Sequence, residues 1–156
     1  MSSTESRLGS AMSLRRWTLC AVGAALLGFG ALPARADDTQ LADALRAVVA
    51  GNIAAYNRDD VDATMSFIDT ASPDYDPTKT EIAQQFKDLE TNTELVDFKY
   101  IGHDDEFAVA RVKTKVIAKG GSAFVNNVVD SIMIFHQQNG SWKLWSEKIL
   151  GVQPLP

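Results

Sequence analysis

The spacing of apolar and polar positions changes character in the middle of the chain. From Thr39 onward Leu41, Leu45, Val48, Val49, Ile53 and Tyr56 recur every three or four residues, which places them on one face of an α-helix. Asp38 or Thr39 caps this first helix, and it ends near Asn57-Arg58. Asp60 is placed to cap a second, shorter helix with an inward stripe of Val61, Met65 and Ile68. Ser72-Pro73 stops it, because the residue before proline is pushed out of the helical region. Residues 72–77 hold two prolines among alternating acids and read as an ordered turn. A third helix then starts at Thr78 or Thr80 and runs through Ile82, Phe86 and Leu89.

After Asn92 the period drops to two and the residues become β-branched and aromatic, which is the signature of strands. Four are expected, over about 93–102, 106–119, 122–136 and 142–150, each boundary good to about two to four residues. Gly120-Gly121 and Asn139-Gly140 supply residues that tolerate positive φ, so both are hairpin turns and the sheet is antiparallel. Helices first and a strand meander afterwards give an α+β domain, with the helices packed on one face of the sheet.

The N-terminus has a different character. A polar stretch is followed by Arg15-Arg16, an apolar run from Trp17 to Leu32, and Pro33-Ala34-Arg35-Ala36. Small residues at Ala34 and Ala36 suit the two pockets of a signal peptidase, so cleavage is expected after Ala36, with 1–36 a signal peptide and 37–156 the mature domain. The run is shorter than the roughly 20 residues a membrane-spanning helix needs. Export to the periplasm or outside the cell follows, by the Sec route or, given the paired arginines, the twin-arginine route. Met1 and Met12 both serve as starts for such a signal. Cys20 follows bulky Leu19, where a lipobox wants a small residue, which argues against lipidation.

Charge and cysteine usage narrow the function classes. Residues 1–36 hold four of the fifteen basic and one of the twenty acidic side chains, which leaves the mature domain at a formal −8. An acidic surface without a basic cluster repels phosphate backbones, so no nucleic-acid partner is expected. The single cysteine lies in the signal, so the mature domain has neither disulfide nor thiol chemistry. No phosphate loop, nucleophile elbow or zinc signature is present, and no cofactor or metal is implied.

Several pieces carry a family resemblance: Ser72-Pro73-Asp74-Tyr75, the Gly121-to-Asn126 stretch with Phe124, and Asn139-Gly140-Ser141-Trp142-Lys143-Leu144. Their order and spacing resemble the SnoaL-like branch of the nuclear transport factor 2-like superfamily, over essentially all of residues 37–156. The resemblance implies a strongly curved sheet wrapped with helices into a cone around a pocket. The superfamily holds isomerases, dehydratases, polyketide cyclases and non-catalytic binding modules, so it leaves function open. Set beside the ketosteroid isomerases, Asp76-Pro77 falls on their general base and Asp130 resembles their oxyanion-holding late-strand Asp. Their first-helix tyrosine becomes Asn52, a weaker donor to a developing oxyanion, which argues against steroid-type enolisation.

Taken by themselves, the same residues give two readings. Asp130 sits in Val128-Val129-Asp130-Ser131-Ile132, a run apolar on both faces, where a charge needs a partner. Either Lys148 or Arg111 pairs with it, or desolvation raises its pKa. Asn52 shares the helical stripe of Leu45, Val48 and Tyr56 and faces inward. Asp76 is a base only if it points into a cavity, and otherwise a turn residue. His136 lies at a strand end on the Asp130 face, as a rim residue, and His103 lies in a loop. The first reading is an exported binding or accessory domain whose pocket holds Asn52, Tyr56, Asp130, Trp145 and Glu147 and takes a small hydrophobic or carbonyl-containing ligand. The second is a cofactor-free enzyme with Asp76 or Asp130 as its acid/base group. A homodimer is expected through the uncovered sheet face, where alternation turns Val125, Val129, Met133 or Trp145 outward.

Overall fold

Helix α1 spans Ala34–Tyr56, α2 Val61–Met65 and α3 Tyr75–Asp88, followed by strands β1 Thr91–His103, β2 Phe107–Ala118, β3 Asn127–Gln138 and β4 Ser141–Pro154. The computed structural model describes residues 34–120 and 124–156, with side chains from Asp37 onward, all within one compact unit. The expected signal from Trp17 to Leu32, with Cys20, lies outside the described residues, as does Gly121 of the first glycine pair. The expected cleavage point after Ala36 falls inside α1.

Local chemistry sets the element ends. Asp60, extended at φ −97°, caps α2 by accepting the Ala63 N–H at 2.9 Å. The second helix is shorter than its stripe: it stops at Met65, and Ile68 instead forms a single parallel bridge to Leu144. The third begins earlier than expected, at Tyr75, with Asp76 and Pro77 in its first turn. Proline is tolerated there because the first N–H groups of a helix have no intrahelical acceptor. The β3–β4 hairpin turns at Asn139 and Gly140, with φ of 50° and 77°, the primed turn that matches strand twist. In the β1–β2 turn the Asp104 carboxylate accepts the N–H groups of Phe107 at 2.7 Å and Glu106 at 2.9 Å. Those two bonds hold the Asp104 carboxyl below the usual aspartate range.

The four strands form one antiparallel sheet in the order β1-β2-β3-β4. Its register slips at Val96 and Ile101 in β1 and at Trp145 and Leu150 in β4, and such bulges bend and twist a sheet. Three of these bulge residues, Val96, Ile101 and Leu150, are exposed apolar side chains. The core lies between α1 and one face of the sheet, where Leu45 and Val49 meet Phe98, Ala108, Ala110, Val112, Met133 and Phe135. Ala108 and Ala110 allow the helix to approach β2 closely. Met133, expected outside, belongs to this core at 8% exposure. A second cluster joins Met65, Ile68 and Ile82, with Tyr56, Phe86 and Leu144 packed against it.

Candidate functional site

Alternation along β2 and β3 decides which polar groups face where. Ala108, Ala110 and Val112, with Ser131, Met133 and Phe135, are buried toward α1. Phe107, Val109, Arg111 and Lys113, with Asp130, Ile132, Ile134 and His136, therefore occupy the opposite face. Asp130 is thus turned away from α1. There Arg111 grips it through Nε–Oδ1 at 2.8 Å and Nη2–Oδ2 at 2.6 Å, a bidentate pair. That hydrogen bonding holds the Asp130 carboxyl below the usual aspartate range and raises the Arg111 guanidinium. Of the two expectations for this carboxylate, the paired one holds, with Arg111 as the cation.

The remaining expected site residues separate. Asn52 Nδ2 donates to the Thr64 carbonyl at 3.1 Å and closes the last turn of α2 onto α1. Tyr56 packs edge-on against Phe86 at 4.9 Å, and its hydroxyl bonds Thr91. Asp76 is exposed on the first turn of α3. Trp145 and Glu147 do line a cavity of about 330 Å³ between the start of α3 and β4, with Ile68, Leu144 and Ile149 as apolar lining and Ser72, Thr78 and Ser146 as hydroxyl-bearing lining. Neither Asn52, Tyr56 nor Asp130 reaches this cavity. A second groove, of about 410 Å³, lies at the start of α1 and is lined by Asp37, Gln40, His103, Asp104, Gln137 and Trp142 among others.

One pair escaped the sequence reading. Asp69, fully buried, lies in the segment that leaves α2 and runs along the edge of β4. Its carboxylate accepts from Ala71 N at 2.7 Å and Gln138 Nε2 at 2.8 Å and is bonded to His136 Nδ1 at 2.7 Å. The His136 ring is flanked by Phe107 at 4.8 Å and Trp145 at 5.0 Å between centroids. Asp69 and His136 are 67 residues apart, and no local motif marks either. The only signal in the sequence is an acid set directly against a buried isoleucine, Ile68.

The family model of the anti-sigma-I factor RsgI9 C-terminal domain matches residues 47–155. The chain belongs to this family. The α3–β4 cavity, drawn from residues between Ile68 and Ile149, lies wholly inside the span matched to the anti-sigma-I factor C-terminal domain. The groove at α1 takes Asp37, Gln40, Leu41 and Ala44 from outside it. No curated protein sequence matches the chain. Among solved structures, it is similar to a protein of unknown function from Mycobacterium tuberculosis, with TM-score 0.66 and 11% identity over 79% of this chain and 77% of that one. A candidate scytalone dehydratase from Novosphingobium aromaticivorans gives 0.61 and 9% over 78% and 92%. A nuclear transport factor 2-like protein of unknown function from Pseudomonas putida gives 0.60 and 10% over 71% and 86%. At such identities the likeness is one of fold, and the α+β fold is that of nuclear transport factor 2-like proteins.

Proposed function

We propose that this chain is an exported domain that holds a small molecule between α3 and β4 and performs no carboxylate acid/base chemistry at Asp76 or Asp130. One observation carries the reading: the α3–β4 cavity, lined by apolar residues, Trp145 and hydroxyl-bearing side chains, is in the size range of small-molecule sites. The enzyme alternative needs two carboxylates converging on one point. Asp76 is exposed on α3 and Asp130 is engaged by Arg111 on the far face of the sheet, which favours binding. The charged side chains around the cavity are Asp74, Glu81 and Glu147, all acidic. They repel anions and leave a neutral or cationic ligand, and a small hydrophobic or carbonyl-containing compound fits.

The apolar run at Trp17–Leu32 and the small residues at Ala34 and Ala36 support delivery to the periplasm or beyond. A homodimer through the sheet face opposite α1 is part of the same proposal, because Phe107, Val109, Ile132 and Ile134 remain half-buried there. Light scattering at micromolar concentration tests the dimer, and a monomer mass would remove it. For the cavity, native mass spectrometry of protein purified from its own host is expected to show a bound small molecule. A fragment screen should move the Trp145 indole resonance. Protein without a ligand, together with an indole that no fragment moves, would overturn the binding reading.

A further inference from the structure

His136 lies outside the lining of the α3–β4 cavity but touches a residue of the segment behind each of its two walls. One wall is the segment after α2, which supplies Ile68 and Ser72 and is fixed by the buried Asp69 carboxylate. The other is Trp145, whose ring touches the His136 ring at 5.0 Å and whose carbonyl accepts the Ser72 hydroxyl at 2.6 Å. The imidazole touches both through the Asp69 bond at 2.7 Å and the indole contact. We infer that His136 is the positioning residue of this cavity and makes it responsive to pH, by changing the charge set against Trp145 while the link to Asp69 persists.

The chemistry of the ring supports this. With Nδ1 bonded to a carboxylate, the neutral imidazole carries its proton on Nδ1 and leaves Nε2 as an acceptor. Protonation keeps the Nδ1–H donor to Asp69, turns Nε2 into a donor, and places a cation against the rings of Trp145 and Phe107. The other ionisable groups near the ring are Lys143, opposite His136 on β4 with Nζ bonded to the Ser66 carbonyl at 2.5 Å, and Glu106 next to Phe107. Only histidine among these types changes charge between pH 5 and 8 in its ordinary state.

The inference rests on the cavity being the ligand site, but its test needs no ligand. An imidazolium quenches a neighbouring indole, so tryptophan emission of the full chain is followed from pH 8 to pH 5. A single reversible fall in emission is expected, absent from His136→Gln and Trp145→Phe and retained in His103→Gln. Gln at 136 still donates to Asp69, which protects the fold, and circular dichroism checks each variant. A fall that survives His136→Gln, or a wild type with none, overturns the inference. So does nitrogen NMR that finds the Nε2–H tautomer at pH 8. If the purified protein carries no ligand and no fragment moves Trp145 but the emission step is present, the ligand reading fails and the switch at Trp145 stands.

Discussion

Arg111 and Asp130 face each other diagonally across β2 and β3, joined by two parallel hydrogen bonds of 2.8 and 2.6 Å on the sheet face away from α1. The arginine is about half exposed and the carboxylate about one-fifth, so solvent screens the pair. Because the Asp130 pKa is lowered, chiefly by the Arg111 bond, the pair's contribution is present above the unfolded aspartate pKa of about 3.9 and fades as pH falls through the lower folded value. Asp130→Asn is therefore expected to melt below wild type at pH 7, with the gap closing toward pH 2.5. Thermal melts at both pH values check this. An equal gap at both would show that the pair is not its source.

Gly51, inside α1, lies under the Phe67 ring, and a Cβ there would sit 2.5 Å from Phe67 Cε1. Alanine gains about 1 kcal/mol in helix propensity over glycine, whereas overpacking costs about 1–3 kcal/mol. The clash should win, because a phenyl ring cannot shorten. Gly51→Ala is expected to destabilise, and adding Phe67→Leu should reverse the sign. Urea unfolding of the single and double variants reads this as a non-additive pair.

Asn52 joins α1 to the last turn of α2 through the Thr64 carbonyl, and Thr64 itself is buried. Asn52→Ala removes one of two donors to that carbonyl, the Phe67 N–H at 3.2 Å remaining, and should cost about 0.5–1.5 kcal/mol. Because Asn52 lies away from the α3–β4 cavity, any fragment that binds there should keep its affinity in this variant. Chemical denaturation paired with an indole-monitored titration separates the two effects, and a large affinity loss would move the site toward α1.

Burial raises the Tyr56 phenol foremost, against a partial lowering by its Thr91 bond, and Tyr100 is also raised, by desolvation and then by the nearby Asp38 carboxylate. A raised folded pKa means stability is intact below the unfolded value of about 10 and is lost as pH rises past it. Absorbance titration near 295 nm should show late-ionising phenol. Tyr56→Phe should remove part of it and soften the alkaline loss of stability. Ordinary titration of every phenol would contradict this.

The order and type of the elements are legible in the sequence, because they follow from local physics. Periods of three to four and then two, Asp60 as a cap, and Asn139-Gly140 as a turn each act within a few residues. The acid balance and the apolar N-terminal run are equally local. The sequence could not set the phase of β3, since Val128 to Ile134 is apolar on both sides of the strand. The alanines at 108 and 110, small because α1 lies over them, mark the buried face only once β2 is paired. Tertiary structure alone brought Asp69 to His136, set Arg111 against Asp130, and placed Trp145 on a bulge between the aromatic cluster and the α3–β4 cavity. The first two relationships join residues 67 and 19 positions apart, and all three depend on register and bulge positions that no local spacing encodes.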